Sequence, residues 1–435
     1  MKMQNLINDD RDGIGQRAVP LGPGLPAIPE RLLLAHARGE VLFVCGAGVS
    51  KSSGLPDFRE LVLNVYKTLD SSIYEFLCSR KTKACSALEP ACSHLNGNQR
   101  AEIKRFDGRD YDVVLGMLER RLDGRTREDS KVRTKVIDLL RSPEQDLESP
   151  TSKQTDDAGV LEKPAASPKA RPSTVHRALM RLADRGGATT IVTTNFDLLL
   201  QEAGKSLRVP VQTYSLGDIP RPTRRREFAG VFHIHGALSR NPNRFSDLIL
   251  TDQDFGEFYL RRRIVPDFIY DAARLFHLVL VGYSANDPPM RYLLNAVAAD
   301  ETRFDDLKDR FVFFGTDGSD PVALEDWKGR GIVPIPYSTP NHDHSMLSKM
   351  LSRWAEISAN NGKRRVIDKE IQRIVKKARA AASEVDQGLF DHLFRRSDST
   401  EKARLSELVS CAGAEPGWLD AMLTIEARQN LGHRS

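Results

Sequence analysis

Long hydrophobic runs are missing from this sequence: nowhere in its 435 residues does an apolar stretch approach the ~20 residues that span a bilayer, so no membrane partner is expected. Its polar beginning, with Asp9, Asp10, Arg11 and Asp12, has no apolar leader, and a cytoplasmic location is expected. Cysteine is scarce. The five residues at 45, 78, 85, 92 and 411 form no paired framework and contain no Cys-x-x-Cys spacing. Cys78, Cys85 and Cys92 recur every seven residues near His94, which leaves a zinc site conceivable beside the reading of scattered reduced thiols. An excess of one charge is also lacking: a net charge of +5 does not by itself call for nucleic acid. The dehydrogenase fingerprint Gly-x-Gly-x-x-Gly is absent, because Lys51 stands where the third glycine belongs, and this points away from hydride transfer.

What is present begins at Val41–Cys45, a wholly apolar run of the kind that forms a strand buried on both faces. It stops at Gly46-Ala47-Gly48, where a backbone without Cβ atoms can approach a bulky anion. Ser50 and Gly54-Leu55-Pro56-Asp57-Phe58-Arg59 then place a hydroxyl, a turn, a carboxylate, a ring and a guanidinium close to that turn. Helical spacing of Leu61, Val62, Val65, Tyr66 and Leu69 follows, so the turn runs from strand to helix as a phosphate seat requires.

Residues 1–29 lack apolar periodicity and read as a flexible arm. Helical patterns dominate 71–141, expected as an insertion covering a nucleotide cleft, and 142–173 are too polar to offset the cost of ordering, so a disordered loop is expected. Ser173-Thr174 opens a helix on which His176 reads as a structural residue. Thr189–Asp197 is a β-branched strand ending in Asn195 and Asp197, which either cap the next helix or project beside the glycine turn, or both. Val231–Leu238 reads as a strand with His233 and His235 at period two and hence on one face. Ile249-Leu250-Thr251 reads as a further strand, Leu278–Val281 as a buried one ending at Gly282-Tyr283-Ser284, and Phe311–Phe314 and Ile332–Ile335 complete a parallel sheet. Arg221–Arg226 reads as a solvated basic loop. Beyond about 361 the pattern turns to helices without strands. The fold class expected is α/β, a Rossmann-like parallel sheet with helices on both faces, a helical insertion and a C-terminal helical appendage over 361–435. That appendage suits self-association or partner docking, and its crowded cations can also meet nucleic acid.

Five ordered blocks over about 30–355 resemble the sirtuin-like NAD-binding family. They are Gly46-Ala47-Gly48-Val49-Ser50 with Gly54–Arg59, the helix bearing Pro172, Ser173, His176, Ala178 and Leu179, Thr193–Asp197, His235-Gly236, and the Gly282-Tyr283-Ser284 turn followed by Asp287. The resemblance implies a sirtuin-like domain over 30–360, with Asn195 working on the nicotinamide ribose and His235 as the catalytic histidine. It further implies that Gly46, Ala47, Gly48, Ser50, Asp57, Phe58, Arg59, Thr194, Asp197, Gly282, Ser284 and Asp287 hold NAD, the substrate. Protein deacetylases of that family carry a four-cysteine zinc module after the histidine, whereas residues 237–281 contain no cysteine, so no zinc is expected and water is the expected acceptor. The pattern is similar to the NADases of bacterial antiphage defence. Members of that branch imply a homo-oligomer, a HerA-like ATPase or a short Argonaute as partner, and nucleic acid only indirectly. A zinc-free deacylase or ADP-ribosyltransferase and a non-catalytic NAD or ADP-ribose sensor are the rival readings.

Overall fold

Seven short β-branched segments line up side by side as a parallel sheet in the computed structural model, which describes residues 17–78, 95–124, 130–141, 170–224, 227–238, 247–283, 294, 297–298, 307–317 and 321–432. The strands are β3 (Val41–Cys45), β4 (Thr190–Thr193), β5 (Thr213–Ser215), β6 (Gly230–His233), β7 (His277–Val281), β8 (Arg310–Thr316) and β9 (Ile332–Ser338), in the order β5-β6-β4-β3-β7-β8-β9. All neighbours pair in parallel, and β3 is the hinge of the topology: the chain builds outward from it on one side through β4 and on the other through β7. Parallel sheets of this winding open a crevice at the carboxyl ends of the strands where the order reverses.

Strand alternation sorts the core into two layers. Phe43, Cys45, Ile191, Val231, Val279 and Val281 face helices Glu30–Ala37, Thr174–Ala183 and Ser345–Ile357. Leu42, Val44, Val192, Phe232, Leu278 and Leu280 face the helix Ile264–Leu275 and Trp327. Helices therefore cover both faces. Each fully buried Leu, Val or Phe in these layers contributes roughly 1.5–3 kcal/mol by leaving water. A third apolar cluster lies in the insertion, where helices Phe58–Leu69, Ser71–Cys78, Gly97–Asp107, Tyr111–Asp123 and Lys131–Leu140 pack on one another and on Leu238, Leu248 and Leu250.

Three expectations need correction, and a fourth, the helical region after 361, is found to share the main core. Residues 17–29 are not a loose arm: β1 (Ala18–Pro20) pairs antiparallel with β2 (Ala27–Pro29), and Val19, Leu21 and Ile28 are buried, while residues 1–16 lie outside the described set. Apolar side chains at alternate positions, too few to show a period, anchor this hairpin. The strands beginning at 189 and 231 stop at Thr193 and His233 because the chain turns there to form the edge of the crevice. Residues 249–251 form no strand; Leu248, Ile249 and Leu250 are buried as an extended run held by the Arg133 and Asp254 side chains and by one backbone bond, Ile249 N to the His235 carbonyl at 2.9 Å. The segment after 361 is helical, with helices Arg364–Val375, Glu384–Arg395, Ser399–Cys411 and Pro416–Gly432, yet Ile371, Phe390 and Trp418 share one core with Phe43. Glu30, at the start of its helix, accepts from Arg395 and lies 3.3 Å from His392 Nδ1, a buried tie between the two ends of the chain. All but the last four residues of the loop expected at 142–173, together with Cys85 and Cys92, fall outside the described residues.

Candidate active site

The carboxyl ends of β4, β3 and β7 are stitched together by hydrogen bonds between their loops. Thr194 N and Thr193 Oγ1 donate to the Cys45 carbonyl at 3.0 and 3.1 Å, and the Tyr283 hydroxyl donates to Thr194 Oγ1 at 3.0 Å across the top of β3. Gly46 N and Gly48 N donate to the carbonyls of Val281 and Gly282, both at 2.9 Å. A Cβ on Gly46 would stand 2.8 Å from the Gly282 oxygen, and one on Gly48 2.9 Å from the Gly282 Cα. Close approach of two strand-end loops is therefore what demands glycine at 46, 48 and 282, and Gly282 itself has a φ of 70°. Val49 N and Ser50 N bond to the carbonyls of Gly46 and Ala47 as the short helix Gly48–Lys51 begins. Ala47 and Gly48 face solvent at the crevice.

Below that turn sits a compact polar network. Asn195 Nδ2 donates to the Gly46 carbonyl at 3.1 Å and to Ser50 Oγ at 3.0 Å, so its side chain joins two strand ends rather than capping the helix that follows. That helix starts at Leu199, whose N–H donates to Asp197 Oδ1 at 3.1 Å. Ser50 Oγ donates to Asp197 Oδ2 at 2.7 Å. His176 Nδ1 accepts from Ser173 N at 3.2 Å, which leaves the proton on Nε2 facing Ser50 Oγ at 3.4 Å. Ser50 thus accepts from two donors and gives its one proton to a carboxylate. Burial pushes the Asp197 carboxyl above its ordinary range, against the pull of Ser50 and the Leu199 amide. The same desolvation takes the His176 imidazole down to about 4, holding it neutral.

The two histidines near β6 part company. His233, the last strand residue, donates from Nδ1 to the Asn195 carbonyl at 2.8 Å and accepts from Gln201 at Nε2. His235 lies beyond the strand end, where period-two alternation no longer holds, so the expectation of one shared face fails. Its Nε2 is 2.7 Å from the Tyr259 hydroxyl and its ring meets Phe255 edge-on at 5.7 Å. Burial lowers it to about 3, and His233 to about 4. The loop bearing His235 is nonetheless adjacent to the Asn195 loop, since Leu238 N donates to the Phe196 carbonyl at 2.8 Å.

Gly46, Ser50, Asn195 and Asp197 are thus brought into direct contact, Thr194 and Gly282 flank them, and His235 occupies the neighbouring loop. Asp57 is engaged elsewhere, capping the helix Phe58–Leu69 through Glu60 N (2.9 Å) and receiving Lys51 Nζ (3.0 Å). Phe58 packs edge-on against Tyr111 and Arg59 lies over the Phe106 ring at 5.4 Å. Ser284 and Asp287 fall outside the described residues. Sequence reasoning gave His176 a structural role although Ser173-x-x-His176 has capping-box spacing with an imidazole at its third helical position, a signal that could have placed it in the network. It missed Tyr259, which lies in the π-helical turn Gly256–Arg261, where no 3.6 period marks the face. Among the described residues no group of three or more His, Cys, Asp and Glu could hold a metal ion, and no helix is long and apolar enough to cross a membrane.

A doubly wound parallel sheet with glycine loops meeting at the point where its order reverses defines a domain of the nucleotide-binding type. Residues 189–335, from β4 into β9, match the family model of the SIR2-like domain, so this part of the chain is similar to that family. Over 321 residues the chain is 35% identical to an uncharacterized protein, y4cA, of Sinorhizobium fredii (strain NBRC 101917 / NGR234). The alignment covers 71% of this chain and 22% of that protein, so the chain spans about a fifth of its relative's length.

Proposed function

We infer that this chain hydrolyses NAD+ to ADP-ribose and nicotinamide and serves as an NAD-depleting effector in bacterial antiphage defence, gated by a partner. The observation that carries this reading is the Asn195 carboxamide, fixed by the Gly46 carbonyl and Ser50 Oγ at the strand ends where a dinucleotide belongs. Cleaving a nicotinamide–ribose bond builds positive charge on the sugar, as in glycoside hydrolysis. A rigid carboxamide orients the ribose hydroxyls or the attacking water, the Asp197 carboxyl beneath Ser50 supplies negative character, and His235, a weak base while burial holds it near 3, regains basicity and can accept a proton once it is exposed. The residues present fit such a substrate: solvent-facing Ala47 and Gly48 edge the crevice, and the glycines let the two strand-end loops that form its floor approach each other closely. NAD-associated chemistry of the SIR2-like domain supports the reading, and the lack of cysteine over 237–281 favours water over an acyl-lysine substrate.

Enclosure of His235 by Tyr259 and Phe255 supports the gated form of the proposal, because this imidazole must become accessible to reach a substrate. A HerA-like ATPase or a short Argonaute, or a homo-oligomer, would provide the gate. The test is NAD loss in cells during phage challenge with wild type, Asn195→Ala and His235→Ala, alongside purified protein incubated with NAD alone. Wild type is expected to deplete NAD and release free ADP-ribose while both variants, folded by circular dichroism, do not. Equal depletion in all three rejects the site, and ADP-ribose that appears only on an added acceptor supports a transferase instead.

A further inference from the structure

The helix Arg364–Val375 divides its charges unequally. Its acids are already engaged: Asp368 accepts from Arg404 at 2.7 Å, and Glu370 accepts from Arg353 and Arg373, each at 2.6 Å. Arg373 reaches on to Asp386 at 2.5 Å, and Arg364 approaches Glu401 at 3.8 Å. Arg365, Lys369 and Lys376 are exposed and have no acidic partner among the described residues. With about 100° of turn per residue, positions 365, 369, 372 and 376 lie within about 60° of one another. They stand opposite Ile367, Ile371 and Ile374, which are buried. Lys369, Gln372, Arg373 and Lys376 line a depression of about 370 Å³ whose far wall is Ala412, at the end of the helix Ser399–Cys411.

We propose that this face docks the phosphate backbone of duplex nucleic acid without reading its sequence. The row from 365 to 376 is about 16 Å long at ~1.5 Å per residue, a length of duplex that carries about ten phosphates at one charge per ~1.7 Å. Cations held in a row by a rigid helix whose own acids are engaged by other arginines release counterions when phosphates replace solvent. Among the described residues no aromatic side chain lines the depression, so single strands find no surface there on which bases stack. An acidic protein is the poorer fit, because Ala412 is the one apolar side chain lining the depression and a protein interface needs a buried anchor at its centre. This inference is independent of the NAD site.

The experiment is fluorescence anisotropy of a labelled 20-base-pair duplex of mixed sequence, as DNA and as RNA, titrated with the full chain between 50 and 200 mM KCl. Wild type is expected to bind with a log–log salt slope near −2.7, which is ~0.9 for each of three phosphates. The triple variant Arg365→Gln/Lys369→Gln/Lys376→Gln loses at least about tenfold in affinity at the low-salt end. The control Lys67→Gln/Lys205→Gln/Arg208→Gln removes the same charge elsewhere and stays within about twofold of wild type. Binding of either duplex with this pattern supports the proposal. Three results overturn it: no binding at 50 mM KCl, equal loss in both triple variants, or displacement by poly-L-glutamate as readily as by unlabelled duplex at equal charge, which would assign the face to an acidic protein.

Discussion

Two of the buried polar clusters among the described residues, one in the insertion and one at the strand ends, are built on opposite plans. In the insertion, Arg133 donates to Glu119 at 2.9 Å, to the Leu248 carbonyl at 2.8 Å and to both oxygens of Asp254 at 2.8 and 2.7 Å. Asp254 also accepts from Leu250 N, Thr251 N and Thr251 Oγ1. Charge is saturated there: burial would lower the guanidinium's pKa, but Asp254 and Glu119 outweigh it and raise it instead. At the strand ends, by contrast, one carboxyl accepts from a hydroxyl and an amide N–H, the hydroxyl in turn faces an imidazole pushed toward neutrality, and no cation among the described residues is in direct contact with the carboxyl. A saturated cluster positions a segment; an undercompensated one keeps a group whose charge can still respond to a ligand. Pinning the extended run 248–251, the first cluster acts as the strut for the Tyr259 turn that follows it.

Breaking the strut is expected to have the largest effect. Arg133→Met strands two buried carboxylates and should cost about 3–5 kcal/mol in urea unfolding. Adding Glu119→Gln and Asp254→Asn should recover part of that loss, because the stranded charges are removed. A loss below about 1 kcal/mol for the single variant would mean that the cluster is not the charge-saturated strut described.

At the strand ends the ordering of effects reverses. Asn195→Ala is expected to lower NAD turnover by about 10²–10³ while costing only about 1–2 kcal/mol of stability for its two hydrogen bonds. Stability lost to the extent seen for Arg133→Met, with NAD turnover unchanged, would make Asn195 a structural bolt and erase the distinction between the clusters.

Legibility from the sequence followed the same division. Strands β3, β7 and β8 are buried on both faces and therefore announced themselves as continuous apolar runs, and the helix Phe58–Leu69 carried its own period and cap. Gly46, Ser50, Asn195 and Asp197 were legible because a strand end, a glycine turn and polar side chains are adjacent in sequence, and the structure joins them. His235's surroundings were not legible. The neighbours of its ring come from 255 and 259, beyond a segment with neither helical nor strand period. The hairpin at 18–29 was missed for a related reason, since three buried side chains over a dozen residues leave no pattern, and they are fixed by packing on distant parts of the chain, the C-terminal helices among them.

Acid should separate the clusters next. His176 and His233 have folded values near 4 against an ordinary 6.5, because burial disfavours their charged forms. The unfolded chain then binds protons that the folded one refuses, so both contribute nothing above pH ~6.5 and destabilise the fold as pH falls from ~6.5 toward ~4. Each should cost about 1.4 kcal/mol per pH unit in that window. Asp197 runs the other way: its raised carboxyl is a cost at neutral pH that is relieved as pH falls through its folded value. Urea midpoints at pH 7, 6 and 5 should fall steadily, and His176→Asn should flatten the decline. A level profile in wild type would show that these histidines are accessible to protons, and hence that the network is open rather than enclosed.

Asp57 gives the smallest and sharpest test, because the two plans compete for one residue: a cap for the helix Phe58–Leu69 or a ligand for NAD. Asp57→Ala should cost about 1 kcal/mol through loss of the cap, with at most a further ~1 kcal/mol from the exposed Lys51 pair. Asp57→Asn keeps a side-chain acceptor for Glu60 N and should restore most of that stability. Turnover of NAD then separates the roles: activity that returns with Asn alongside stability makes Asp57 a cap, whereas activity lost in both variants, with stability restored in one, makes its charge part of the site.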